Sequence, residues 1–221
     1  MTAIETTNRA QLARAAAVIW IVGAIAYLAA ERLAASNVKG HYSYADNYIS
    51  ALGVPDWGRF AHLMNAAFYL QGVLFFVGAV LVARAVGRRG VLFAIFTAVT
   101  AVGFFLVATF HGGSPLADGD GMQWHQAGAL LAFVAGNAAI IAGSSIVARA
   151  VDARWWYRGV SLLLAAAGFV FFWMLQIYNV WTYKYAPIGT VERVPVYTIL
   201  AWQLFSAVVI LTRPAARDDD S

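Results

Sequence analysis

Six stretches of mainly apolar residues dominate the chain, at 12–35, 60–84, 89–110, 123–148, 156–180 and 194–212. Each is near the roughly 20 residues that a helix needs to cross the hydrocarbon core of a bilayer. No water reaches that core, so the backbone of each stretch must satisfy its own hydrogen bonds, and a helix does so within one segment. Composition agrees: 62% of the residues are hydrophobic and 12% charged, about half the charged fraction of a soluble domain. The expected fold class is therefore all-α, a polytopic integral membrane protein in which one domain, 1–221, forms a bundle of six transmembrane helices. The first stretch exceeds a typical signal-peptide core and five more follow, so it reads as a retained anchor. The acidic end, within 213–221, reads as a disordered tail. No internal repeat of the kind many transporters carry is evident.

Lysine and arginine set the expected direction of insertion. Arg9, Arg14, Arg84, Arg88, Arg89, Arg149, Arg154, Arg158, Arg213 and Arg217 fall on one side, and Arg32, Lys39, Arg59, Lys184 and Arg193 on the other. That ten-to-five division places both termini in the cytoplasm. The net charge of +4 belongs to this asymmetry, because no basic cluster with interleaved aromatics marks a nucleic-acid surface. The absence of cysteine excludes disulfides, iron–sulfur clusters and Cys-type zinc sites.

With that topology the chemistry collects at the outer end. His41, His62, His111 and His125 map there, with Asp46, Asp56, Asp118, Asp120 and Glu192 and with Tyr42, Tyr44, Tyr48, Tyr178, Tyr183, Tyr185 and Tyr197. Interfacial belts of Trp and Tyr explain part of this, Trp57, Trp124 and Trp181 facing Trp155 and Trp156 at the other interface. The centre of the bilayer carries no charged side chain, which argues against ion pumps and proton-coupled carriers. Two polar stripes follow helical spacing, His62, Asn65, Tyr69 and Gly72 in the second span and Gln176, Asn179 and Tyr183 in the fifth. Gly128, Ala132 and Gly136 make a small-residue ridge in the fourth.

Three outer segments hold the candidate residues. In the first, Asp46 and Ser50 are one helical turn apart, which would put carboxylate and hydroxyl on one face of a short amphipathic stretch. In the second, His111 and His125 close a hairpin where they can approach His62. Those three histidines with Asp46 offer a possible zinc set, although the spacing matches no ligand motif. No cofactor is expected, and a haem between His111 and His125 is disfavoured by their position at the rim. In the third, Glu192 and Arg193 enter the sixth span pointing about 100° apart, so they bond to different partners. Arg193 is suited either to a phosphate or to clamping an outer loop.

The run Asn47-x-Ile49-Ser50-x-Leu52-Gly53, then Asn65, Gly72, His125 before an Ala/Phe-rich helix, and Gly189-x-x-Glu192-Arg193 leading to Trp202 resembles the bacterial and archaeal membrane family called domain of unknown function 998. Members commonly carry Phe-Pro where this chain has Phe110-His111. That family is similar in layout to Frag1/DRAM-type membrane proteins, some of which are linked to remodelling of lipid anchors. The resemblance implies a prokaryotic plasma membrane and raises lipid handling among the options.

The leading expectation is an extracytoplasmic-facing polar site that binds or modifies a lipid or lipid-linked substrate. Ser50 as nucleophile and His125 as general base would make it a lipid hydrolase or an acyl or headgroup transferase. Asp46, Asn47, His62, Asn65, Glu192 and Arg193 would line the substrate. The alternatives are an accessory subunit or assembly factor docked to another membrane protein, and a small transporter.

Overall fold

The computed structural model describes residues 3–112, 114, 116, 118, 121–151, 153, 155–181 and 186–212, and for 3–6, 88–89 and 178–181 the backbone alone. Six helices follow in order: α1 Ala3–Ala35, α2 Ala61–Val86, α3 Val91–Thr109, α4 Gly121–Ala150, α5 Trp155–Trp181 and α6 Ile188–Thr212. All six are long and apolar enough to cross a membrane, and the chain is an all-α, multi-pass membrane protein. The α1–α2, α3–α4 and α5–α6 connections share one end of the bundle, called here the polar end. The α2–α3 and α4–α5 connections share the other, the basic end.

Why the chain turns where it does is local chemistry. Gly87 takes φ +74°, a region that costs a Cβ-bearing residue dearly, and so stops α2 before the 3-10 turn Gly87–Gly90. At the polar end the long α1–α2 connection closes on itself, an antiparallel bridge pairing Val38 with Gly58 and Lys39 donating to the Trp57 carbonyl at 2.7 Å. Within it the expected amphipathic helix is absent. Residues 44–46 form a turn, and a 3-10 turn spans Ser50–Gly53. Ile49 and Leu52 from this connection are buried among α1, α2 and α6.

The helices meet through rings set against glycines. Trp20, Phe75, Phe93 and Trp202 from four helices form one aromatic cluster, centroids 5.4–6.5 Å apart, toward the basic end. The Trp20 ring fills the place a Cβ on Gly78 would need, and Trp202 that of Gly143. The small-residue ridge of α4 faces into the bundle as its spacing implies, and there it meets α3: a Cβ on Gly128 would stand 2.8 Å from the Gly103 carbonyl oxygen.

The sixth helix starts at Ile188, six residues ahead of the span expected from residue 194, so Glu192 and Arg193 lie within it, ahead of Pro195. A charged pair reads as a boundary because it is costly inside a lipid-facing helix. Here both charges are buried against protein. Beyond the proline, Asn137 of α4 donates to the Pro195 carbonyl at 3.1 Å and accepts from Thr198 at 2.8 Å, in space that only Gly168 of α5 leaves. Asn137→Leu should therefore destabilise the bundle by about 1 kcal/mol, the scale of interhelical hydrogen bonds in lipid. Unfolding in mixed detergent micelles measures this, and an unchanged midpoint would refute it.

Candidate functional site

Glu192 and Arg193 sit one turn inside the polar end of α6, and their side chains leave the helix in different directions. Arg193 turns toward the α1–α2 connection. Its Nε donates to Glu31 Oε1 of α1 at 2.9 Å. Its Nη1 donates to the carbonyls of Tyr44 and Asn47, both at 2.8 Å, and of Gly189 at 3.0 Å, and Nη2 donates to the Tyr42 hydroxyl. The guanidinium carbon lies 5.6 Å and 5.0 Å from the ring centroids of Tyr42 and Tyr44, within cation–π range. Tyr197 donates to the other oxygen of Glu31 at 2.8 Å. Arg193 is 4% exposed and Glu31 1%, so the pair holds only because nearly every donor and acceptor finds a partner.

The connection is thereby pinned onto α6. Tyr42 in turn donates to the Tyr48 carbonyl at 3.1 Å, and the Thr190 amide donates to Ala45 at 3.0 Å. Burial pushes the Tyr42 phenol up to about 12 against the ordinary value of 10, and Arg193 beside it opposes that shift only in part. A raised phenol stabilises the fold fully below about pH 10 and loses that contribution as pH climbs toward 12. Phenolate absorbance during alkaline titration should thus show Tyr42 among the late-ionising tyrosines, with the connection coming loose as it ionises. The wild-type titration minus that of Tyr42→Phe should contain one phenol ionising near pH 12, and a difference centred near the ordinary pH of about 10 would remove the assignment.

Glu192 faces the opposite way. One carboxylate oxygen accepts from the Ile49 amide and the other from Ser50 Oγ at 3.0 Å, so the carboxylate seats the first residue of the 3-10 turn. Ser50, Glu192 and His125 together line a cavity of about 820 Å³ between α4, α5 and the connection, a size typical of small-ligand sites. Gln123, Gln126 and Gln176 complete its polar wall, and Met122, Leu130, Phe133 and Leu175 supply an apolar one. Met122, Gln123, Gln126 and Leu130 are all exposed, Leu130 to 46%, so the cavity is open along α4 from its polar end to Leu130.

A second void of about 10 Å³ lies deeper, lined by the same Ser50, His125 and Glu192 together with Phe68, Phe104 and Phe133. That is about the room of one water molecule. His125 Nδ1 is buried without a protein partner, while the carbonyls of Val107 and Phe110 lie beside its ring.

Thus Ser50, His125 and Glu192, far apart in sequence, come together. The other expected site residues do not line this cavity. Arg193, suited by sequence either to a phosphate or to clamping an outer loop, makes the clamp and is enclosed by the partners just named. Asn47 contributes its carbonyl to Arg193 and accepts from the Ser43 amide at 2.8 Å through Oδ1. Asp46 is exposed and accepts from Ser43 Oγ at 2.6 Å instead of sharing a face with Ser50. Asn65 is buried and donates to the Gly53 carbonyl at 2.8 Å, securing the 3-10 turn to α2. His62 is exposed, because the buried face of α2 runs through Ala61, Phe68 and Phe75 and residue 62 is rotated about 100° from Ala61.

His111 stays with its own loop, its Nδ1 2.9 Å from the Gly112 carbonyl. No three His, Asp or Glu side chains among the described residues are grouped to hold a metal ion, so the zinc set of His62, His111 and His125 does not assemble. Gly113, Pro115, Asp120, Arg154, Tyr183, Lys184, Tyr185 and the tail 213–221 lie outside the described residues. So do the side chains of Arg88, Arg89, Tyr178, Asn179 and Trp181.

Sequence reasoning misses the α4 wall and the Glu31–Arg193 pairing. The wall does carry a signal: Met122, His125, Gln126, Ala129, Leu130 and Phe133 recur at i, i+3, i+4, i+7, i+8 and i+11, one helical face. The pairing has no local signal, since 162 positions separate its members.

A family model described as "Protein of unknown function (DUF998)" matches residues 21–209, a region that holds every residue of the clamp and of the cavity. No curated protein and no solved structure matches the chain.

Proposed function

Because the chain belongs to this family of unknown function, we propose from the cavity alone that this membrane protein binds and modifies a lipid or lipid-linked substrate. The observation that carries the reading is the convergence of Ser50, His125 and Glu192 on one cavity whose remaining wall is part polar, from Gln123, Gln126 and Gln176, and part apolar, along α4 and Leu175. A polar group held at one end of an apolar cleft matches a headgroup with the start of its chains. In this reading the polar end faces the extracytoplasmic leaflet and both termini the cytoplasm, which the arginine excess at the basic end supports, and the membrane is the prokaryotic plasma membrane that the family resemblance implies.

The chemistry this set supports is hydrolysis or acyl transfer at an ester. Ser50 Oγ already directs its proton to Glu192, so Glu192 takes the place of the base that residue type alone assigns to His125. Attack of Oγ on the ester carbonyl forms the acyl–serine bond and passes the hydroxyl proton to Glu192. The leaving alkoxide takes that proton from Glu192 as the original ester bond breaks, with His125 hydrogen-bonded to the leaving oxygen. Water, or an acceptor hydroxyl, then attacks the acyl–serine carbonyl and gives its proton to Glu192, and Ser50 Oγ takes that proton back as the acyl group is released.

Ser50→Ala should leave lipid binding in place and abolish release of fatty acid from membrane lipid, read by mass spectrometry of reconstituted vesicles. Unchanged release in that variant removes the chemistry. A preparation that holds a stoichiometric protein partner and no lipid in the cavity removes the lipid reading as well.

A further inference from the structure

Resting on the reading that this cavity takes a lipid, we infer that the headgroup it accepts is uncharged and rich in hydroxyls, a sugar or polyol on a lipid anchor. The polar wall holds the carboxamides of Gln126 and Gln176, with Gln123, the Ser50 hydroxyl, His125 and Glu192 beside them. Each carboxamide is both donor and acceptor, as is each hydroxyl of a sugar, so the two sets pair in either sense.

A phosphate is acceptor-only and needs donors, best an arginine fork. Arg193, the nearest arginine in sequence to the cavity residues, has its donors taken by Glu31, Tyr42 and three backbone carbonyls. Glu192 stands in the wall, and two like charges in this poorly solvated setting repel. An ammonium is donor-only and needs acceptors. Each oxygen of Glu192 already accepts one hydrogen bond, from Ile49 or Ser50, which leaves an ammonium only the second lone pair of each, and Tyr48 and Phe133 as the phenyl-type rings of the lining fall short of the cage that quaternary ammonium ligands favour.

The lateral opening beside Leu130 fits the same ligand. Met122, Leu130, Phe133 and Leu175 accept the first carbons of the anchor, while the rest of each chain stays in the bilayer.

The test is native mass spectrometry of the full chain released from nanodiscs that hold equal amounts of diglucosyl-diacylglycerol, phosphatidylglycerol and phosphatidylethanolamine with matched acyl chains. The glycolipid should be retained about tenfold over either phospholipid, and Gln126→Leu with Gln176→Leu should cut its retention about tenfold, as two lost hydrogen bonds require. Leu130→Trp, which fills the mouth, should displace it. Circular dichroism and thermal midpoints of both variants should match the wild type. A phospholipid that is retained as well as the glycolipid, and displaced by Leu130→Trp, overturns the headgroup assignment and leaves the lipid cavity standing. Retention of all three lipids untouched by Leu130→Trp overturns both.

Discussion

Arg193→Ala should unfold the polar end at a cost of about 3–5 kcal/mol, the usual result of removing one partner of a buried ion pair. The loss is not the worth of one bond. Glu31 would keep a carboxylate, 1% exposed, with only Tyr197 to answer it, and the carbonyls of Tyr44, Asn47 and Gly189 would lose their shared donor. Arg193→Lys should recover part of the loss, since an ammonium can meet Glu31 and cannot fan out to three carbonyls. Adding Glu31→Gln to Arg193→Ala should also recover part, because it removes the stranded charge. Unfolding in mixed micelles reads all three variants. An Arg193→Ala midpoint within about 0.5 kcal/mol of wild type, the range of an ordinary surface change, would show that the clamp is idle.

Gly189→Ala is the second large effect, and it comes from shape rather than charge. A Cβ there would stand 2.7 Å from the Tyr44 carbonyl oxygen and 2.8 Å from that of Ala45, with the Asn47 carbonyl oxygen closer still. Backbone oxygens cannot swing aside as the end of a side chain can. The connection must lift off α6, for which overpacking of about 1–3 kcal/mol is the expected scale. Ile49 and Ser50 would move with it, so the variant should lose cavity lipid while the six helices remain. Amide hydrogen exchange should show faster exchange over residues 41–53 and unchanged protection in α3 and α4. Uniform exchange across the chain, or wild-type exchange over 41–53, would contradict this.

Both effects arise at residues whose roles are only half legible along the chain. Residue type and position at one end of the bundle single out Glu192, Ser50 and His125, and the three do share a cavity. Glu192 and Arg193 diverge, as neighbours on a helix pointing about 100° apart must. Which of them faces the cavity is not readable from that spacing. It depends on the rotation of α6 about its axis, set by Glu31 on α1 and by the backbone of a connection far away in sequence. Asn65 and Asn47 carry the same polar signal as Ser50, yet they serve the 3-10 turn and the clamp, because a polar side chain in an apolar setting bonds to whatever buried backbone group is unpaired.

The start of α6 shows the limit from the other side. Hydropathy averages neighbours along the chain, so a charged pair ends an apolar window wherever it occurs. In the fold those charges meet Glu31, Tyr42 and Ile49, and the helix continues outward through them to Ile188.

By itself the sequence determined that six helices are long and apolar enough to cross a membrane, which end gathers the arginines and which the histidines and tyrosines, and which small residues of α4 face into the bundle. Each of these follows from properties read along one segment: apolar length, helical period and local charge. The tertiary structure alone decided that Arg193 clamps a connection while Glu192 opens onto a cavity, and that three glutamines line it. Those outcomes turn on where separate helices present their faces to one another, a relation between segments that no single stretch of sequence encodes.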